Sequence, residues 1–192
     1  KTPSYIPQIP LCFLTGHKDA ANKLTLFGKI AHHSNGQDGN FYTDDGKVNL
    51  QSGNFATNYL ELGFLQSSYS QNLKAFKFIK SSVEIHPKSW MLEELHGQYS
   101  GLRWHNTFLA YKLPMKTNPL PNEKQRANFS IKAETTIMLD NFNNWNYFDA
   151  KRLNASLILY YHPKFLEDIG FFVQFYHGMD YYNIYFQHQI SS

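Results

Sequence analysis

The chain reads as all-β, with its strands closed into an antiparallel transmembrane β-barrel, and three features predict this. The first is period-two alternation. Apolar and polar positions switch along segments of about ten residues, with turn residues between them and no helical periodicity anywhere. The second is where the charges fall. Lys29, Glu61, Lys80, Glu84, Lys132 and Glu134 lie on the faces opposite the apolar ones. A barrel interior lets such opposite charges satisfy one another, whereas an apolar sandwich core does not. The third is composition. Aromatic residues make up 17% of the 192, with 13 Tyr and 16 Phe, while charged residues make up only 17%. A typical soluble domain carries about 25% charge, and membrane barrels carry aromatic girdles.

About nine strands follow in order. Segment 5–14 holds Cys12, the one cysteine, which excludes an internal disulfide. Segment 24–34 puts Leu24, Leu26, Gly28, Ile30, His32 and Ser34 on one face and Thr25, Phe27, Lys29, Ala31 and His33 on the other. Asn35-Gly36 then ends it as a turn. After a long, polar and acidic connection over 37–53 comes segment 54–66, with Asn58, Leu60, Leu62 and Phe64 on its apolar face. Segments 76–87 and 101–113 follow, then a Pro-, Asn- and Lys-rich connection from Pro114 to Ala127. Segment 129–140 alternates cleanly, Phe129, Ile131, Ala133 and Thr135 against Ser130, Lys132, Glu134 and Thr136. Segment 152–162, a shorter link over 163–168, and segments 169–178 and 182–190 complete the series. Tyr160, Tyr161, Phe171 and Phe175 read as girdle residues.

Several classes are excluded. No run of about 18 apolar residues exists, so no transmembrane helix is expected. A mean hydropathy of −0.47 does not count against a barrel, since half its strand residues face a polar interior. The net charge of +3 comes without a basic run, so no nucleic-acid partner is expected. His86, His105 and His177 have no metal-ligand spacing and read as ordinary polar or interfacial residues. No signal peptide is visible at Lys1-Thr2-Pro3, so the chain reads as a mature or partial form.

The chemistry gathers at the end of the second strand. His32 and Ser34 project from the same apolar face, and a serine beside an imidazole is half of a nucleophilic hydrolase. A third polar group must hold the ring in the right tautomer. Asn58 is the candidate, because antiparallel pairing of 24–34 with 54–66 brings it within reach of His32. His33 points the other way, into the interior. Catalytic residues on an apolar face make sense where that face looks at lipid.

At this point a family is recognisable. His32-His33-Ser34-Asn35-Gly36 resembles the H-x-S-N-G motif of the outer-membrane phospholipase A family of Gram-negative bacteria, and Ala56-Thr57-Asn58-Tyr59-Leu60 is similar to its asparagine strand. Tyr5-Ile6-Pro7-Gln8-Ile9 is similar to a Y-x-P-Q-hydrophobic strand, and Val83-Glu84-Ile85-His86-Pro87 to a V-E-V-x-P strand. Gln174-Phe175-Tyr176-His177-Gly178, followed by Asp180-Tyr181-Tyr182-Asn183, resembles the family's Q-x-Y-x-G ending.

The resemblance implies a twelve-stranded outer-membrane barrel, of which residues 1–192 are one domain that either lacks material at both ends or closes differently. It implies Ser34 as nucleophile, His32 as base, Asn58 as orienting residue and Gly36 at the oxyanion hole. It implies a calcium ion near the serine, with Gln37 and Asn54 in the ligand positions. Asn54 departs from the family's serine, though an amide oxygen suits calcium. Asp38, Asp44 and Asp45 are further candidates, the alternative being a solvated loop whose D-D-G and D-G are turns. It implies membrane phospholipid as substrate and a homodimer as the gate that prevents self-digestion. Two other readings stand beside this one. The first is a catalytically silent barrel of the same descent, an accessory subunit of a larger outer-membrane assembly. The second is a soluble β-sandwich binding protein.

Overall fold

A computed structural model describes residues 4–15, 22–114, 128–163, 169–179 and 189–192. Its strands are β1 (Gln8–Thr15), β2 (Lys23–Ser34), β3 (Ala56–Ser70), β4 (Ala75–Ile85) and β5 (Leu102–Pro114). They continue with β6 (Asn128–Met138), β7 (Leu153–His162), β8 (Phe171–Met179) and β9 (Gln189–Ser191). All pair antiparallel with their sequence neighbours in one 9-stranded sheet of order β1 to β9. Among the described residues β9 does not pair with β1, so the sheet has two open edges. Pro10 sits within β1 because that strand is an edge and leaves one side of its backbone unpaired. Most of the segment predicted as the ninth strand, 182–188, lies outside the described residues, as does the link over 164–168.

The alternation read from the sequence is the alternation of burial, with polar groups on the covered face. Glu61 is 3% exposed, while its neighbour Leu62 is 62% exposed. Glu61 accepts from Ser82 at 2.6 Å and Lys80 at 2.9 Å and is paired with Lys29 across the β2–β3 ladder. Glu84 is paired differently, with His86 at 2.8 Å and with Arg103 and His105 at 3.5 and 3.3 Å. Lys132 and Glu134, two apart on β6, pair at 2.9 Å. Each buried carboxylate therefore has cations and donors around it, without which burial would be prohibitive. The opposite face carries Ile9, Leu11, Ile30, Leu62 and Phe175, all more than half exposed.

Close backbone approach explains Gly63. A Cβ placed there would lie 2.4 Å from the Ser81 carbonyl oxygen and 2.5 Å from Ser82 Cβ. Gly63→Ala is expected to force β3 and β4 apart, costing about 1–3 kcal/mol. Urea unfolding measures this, and an unchanged midpoint would refute the packing account.

The apolar core proper sits beyond the sheet. The connections 35–55 and 86–101 leave the same end, and their Phe41, Phe55, Leu95 and Tyr99 form a buried cluster with Val48, Met91 and Leu92 against it. Connection 139–152 adds Phe142 and Trp145, packed on Met138 and Met179. The sequence reading treated 37–53 as a polar loop. Its Phe41, with Phe55 just beyond it, instead closes over the sheet end, which removes apolar surface from water. β5 ends at Pro114 and β6 begins at Asn128 at the other end of the sheet, and the connection over 115–127 lies outside the described residues.

Candidate functional site

The site is built where β2 ends. His32 sits directly opposite Asn58 in the β2–β3 register, and Ser34 opposite Ala56. The His32 main-chain N–H points away from β3 and donates to Pro7 O at 3.0 Å. Toward β3 the pair is therefore of the non-hydrogen-bonded type, in which side chains approach most closely. That is why the two side chains meet, with 2.8 Å between His32 Nδ1 and Asn58 Oδ1.

The direction of that bond follows from the far side of the amide. Asn58 Nδ2 donates to the Trp90 carbonyl at 3.3 Å, leaving Oδ1 turned to the ring. An amide oxygen only accepts, so Nδ1 of His32 carries the proton. Nε2 then keeps its lone pair, the form a general base needs. The Trp90 carbonyl is in place because the stretch after it extends the sheet. Thr57 bridges Met91, and Leu92 N donates to Ala56 O at 3.2 Å.

Ser34 lies two residues beyond His32 on the same face. Its backbone is held on both sides by Tyr5, N to O at 2.8 and 3.0 Å. No hydrogen bond joins its hydroxyl to His32 among the described residues. Such bonds are often long without substrate and tighten when it binds. The structure thus brings His32 and Asn58 into contact and sets Ser34 beside them.

Asn35 is the residue that sequence reasoning undervalued. It is 0% exposed. Its side chain donates to Gly53 O at 2.7 Å and accepts from Phe55 N at 3.0 Å and Gln37 N at 3.2 Å. One side chain thereby pins both ends of the 35–55 connection, and its bond to Gln37 N makes an Asx turn. That turn places Gly36 at φ +66°, where a Cβ would also lie 2.9 Å from the Tyr5 ring. Glycine meets both demands. Asn35-Gly36 at the strand end is legible as a turn, but the buried partners of Asn35 are not.

Behind the site lies the covered face. His33 is buried there, edge-on to Phe55 at 5.1 Å and bonded to Ser4 Oγ at 2.7 Å. Thr57 meets His86 Nδ1 at 2.9 Å, and His86 Nε2 meets Glu84 at 2.8 Å. The carboxylate can only accept, so Nε2–H donates to it and Nδ1 accepts from Thr57. Burial holds His86, one residue beyond β4, below its ordinary value and therefore neutral. Burial likewise pushes the Tyr99 hydroxyl in the cap up to about 12. His86 is thus a network residue rather than an interfacial one.

For the implied calcium, Asn54 is the informative position. Its Oδ1 is buried and accepts no hydrogen bond among the described residues. Leaving a buried carbonyl oxygen unsatisfied costs about 1–3 kcal/mol, and such an oxygen is a suitable calcium ligand. Stretches 37–39 and 52–54 lie side by side, with Asn54 N donating to Gly39 O at 2.9 Å, so Gln37 and Asn54 belong to one corner. Asn54 Oδ1 is therefore of a chemistry that suits a cation. The acidic residues do not gather there. Asp38, Asp44 and Asp45 are exposed. Lys47 and Thr43 hold the Asp45 carboxyl below its ordinary value. Among the described residues no three His, Cys, Asp or Glu side chains form a metal group.

Compared with protein-family models, with curated proteins and with solved structures, the chain matches none.

Proposed function

We propose that the chain is an outer-membrane phospholipase that hydrolyses acyl esters of membrane phospholipids. The observation that carries this reading is the 2.8 Å contact from His32 to Asn58, set beside Ser34 on the exposed apolar face of the sheet. Ser34 Oγ attacks the ester carbonyl carbon while His32 Nε2 takes its proton. The tetrahedral oxyanion is held by main-chain N–H at Gly36. On collapse His32 returns the proton to the lysolipid alkoxide, leaving an acyl-serine that water, deprotonated by the same ring, converts to free fatty acid. Asn58 keeps the ring oriented but, being neutral, stabilises imidazolium less than an aspartate would, so turnover is modest. A calcium ion, where bound at Asn54 and Gln37, supplies further positive charge to the oxyanion.

The apolar surround explains access. Ile9, Ile30 and Leu62, on the same face as the triad, would meet acyl chains, so a substrate reaches Ser34 without leaving the bilayer. In this reading the sheet closes into a barrel in the outer membrane of a Gram-negative bacterium, and a homodimer gates the site.

Fatty-acid release from phospholipid in mixed micelles tests the reading. Activity is expected with calcium, and a chelator is expected to lower it about 100-fold. Hydrolysis unaffected by chelator would remove calcium while leaving the triad. Asn58→Ala is expected to lower kcat roughly 100-fold, because a ring held even 1 Å out of place loses that much. An unchanged kcat would show that Asn58 orients nothing. A second reading, the catalytically silent accessory barrel, is favoured by the Ser34 hydroxyl's lack of a bond to His32 and by Asn54 standing where the family has serine. A well-folded barrel with no hydrolysis under any condition would move the reading to it.

A further inference from the structure

Asn58 stands where the β3–β4 ladder is interrupted. The last paired residues are Leu60 and Ile85. Pro87 has no N–H with which to continue the ladder, and the chain returns to β3 only at Met91, which bridges Thr57. The Trp90 carbonyl that receives Asn58 Nδ2 at 3.3 Å therefore belongs to a stretch outside the regular sheet. Beside the Met91 bridge and the bond from Leu92 N to Ala56 O at 3.2 Å, the tie across this gap is a side chain, that of His86.

His86 and Thr57, the residue next to Asn58, are both buried on the covered face. Thr57 Oγ1 lies 2.9 Å from His86 Nδ1, and His86 Nε2 lies 2.8 Å from Glu84 Oε1. The Thr57 proton goes to the ring, since Asn58 O, at 3.4 Å, is the more distant acceptor. Glu84 is held in turn from β5, by Arg103 at 3.5 Å and His105 at 3.3 Å. The His86 ring also lies against Tyr59 and Tyr99, with centroids at 4.9 and 5.1 Å. Satisfying the Glu84 charge does not by itself require His86, because Arg103 and His105 already face it. What His86 adds is its second edge. A neutral imidazole donates at one nitrogen and accepts at the other, whereas Lys and Arg only donate and an ionised Glu only accepts. His86 thus takes a hydroxyl of β3 and a carboxylate of β4 at once, and it opens the connection that carries Trp90.

We infer that His86 is a positioning residue for the triad, acting through Thr57 and the Trp90 carbonyl to hold the Asn58 amide and hence the His32 ring. The inference rests on the reading of His32, Ser34 and Asn58 as a hydrolytic triad. His86 touches none of the three, and its effect passes through the main chain on either side of the gap. Without the bond from Thr57 to His86, β3 and the connection shift relative to each other. Asn58 Nδ2 then loses the acceptor that fixes the amide, and His32 is no longer confined to the Nδ1–H tautomer.

The test uses the whole folded chain in detergent micelles, with isotope-labelled histidine ring nitrogens read by magnetic resonance. In the wild type His86 is expected as the Nε2–H form and His32 as the Nδ1–H form. Thr57→Val removes the hydroxyl while keeping the branched shape, and it is expected to bring in the Nε2–H form of His32. It is also expected to lower kcat on phospholipid about 10-fold with KM unchanged, a smaller loss than for Asn58→Ala because the amide is still present. Thr57→Ser restores the hydroxyl and is expected to rescue both readouts. In an Asn58→Ala background Thr57→Val is expected to cost nothing further, since a group that acts through Asn58 has nothing left to position. Losses that multiply in the double variant, or a His32 tautomer unmoved by Thr57→Val, would overturn the role. So would a wild-type His86 that carries its proton on Nδ1, a measurement that needs no variant to fold. A chain that hydrolyses nothing while the His32 tautomer still follows Thr57 would sink the proposed activity and leave the coupling of His86 to Asn58 standing.

Discussion

Ser34→Ala is expected to reduce phospholipid hydrolysis by about 10⁴-fold or more, to the level left by binding and oxyanion contacts alone. The loss falls on kcat, since the acyl-serine can no longer form. The fold should not change. Ser34 is positioned through its main chain, which exchanges two hydrogen bonds with Tyr5, and alanine keeps both. A surface substitution with no side-chain bond to lose shifts stability by about 0.5 kcal/mol or less. The two readouts together are decisive. An inactive variant with an unchanged melting curve assigns the nucleophile, whereas one that keeps its activity excludes the His32–Ser34 pair. His32→Ala should be about as damaging, and the double variant no worse than either, because the two act as a unit.

Asn35→Ala is expected to be the most damaging single change to the architecture of the site. Its three partners are main-chain groups, of which Gly53 O and Phe55 N are buried with it and Gln37 N is part-buried. Each group left unsatisfied costs about 1–3 kcal/mol, so a loss of about 3–5 kcal/mol is expected after partial relaxation. The damage should be local. Hydrogen exchange should accelerate across 35–55, and hydrolysis should fall because Gly36 loses its placement. Amide protection in β3–β5 should survive, since their ladders do not involve Asn35. Unchanged exchange over 35–55 would show that the cap is held by the Phe41–Phe55–Leu95–Tyr99 cluster alone.

The strands were legible because period two is a local property. Lys29 and Glu61, predicted to face inward, are paired across one ladder, and His32 meets Asn58 because the β2–β3 register sets the two directly opposite. Boundaries were less legible. β3 runs on to Ser70 and β1 begins at Gln8, with Tyr5 reaching Ser34 by an isolated bridge, since Pro7 has no N–H with which to continue a ladder.

What the sequence by itself determined is the all-β class, the order of the strands and the face each side chain takes. Alternation and turn residues encode all three within a dozen positions. What only the tertiary structure decided is everything made by residues far apart in the chain. Asn35 pins a connection, the Trp90 carbonyl sets the Asn58 amide and hence the His32 tautomer, and the Tyr5 ring closes over Gly36. Phe41, Phe55, Leu95 and Tyr99 become a core only when two connections fold over one sheet end. No periodicity announces these contacts, because each depends on three-dimensional neighbours that the ladder of strands first had to bring together.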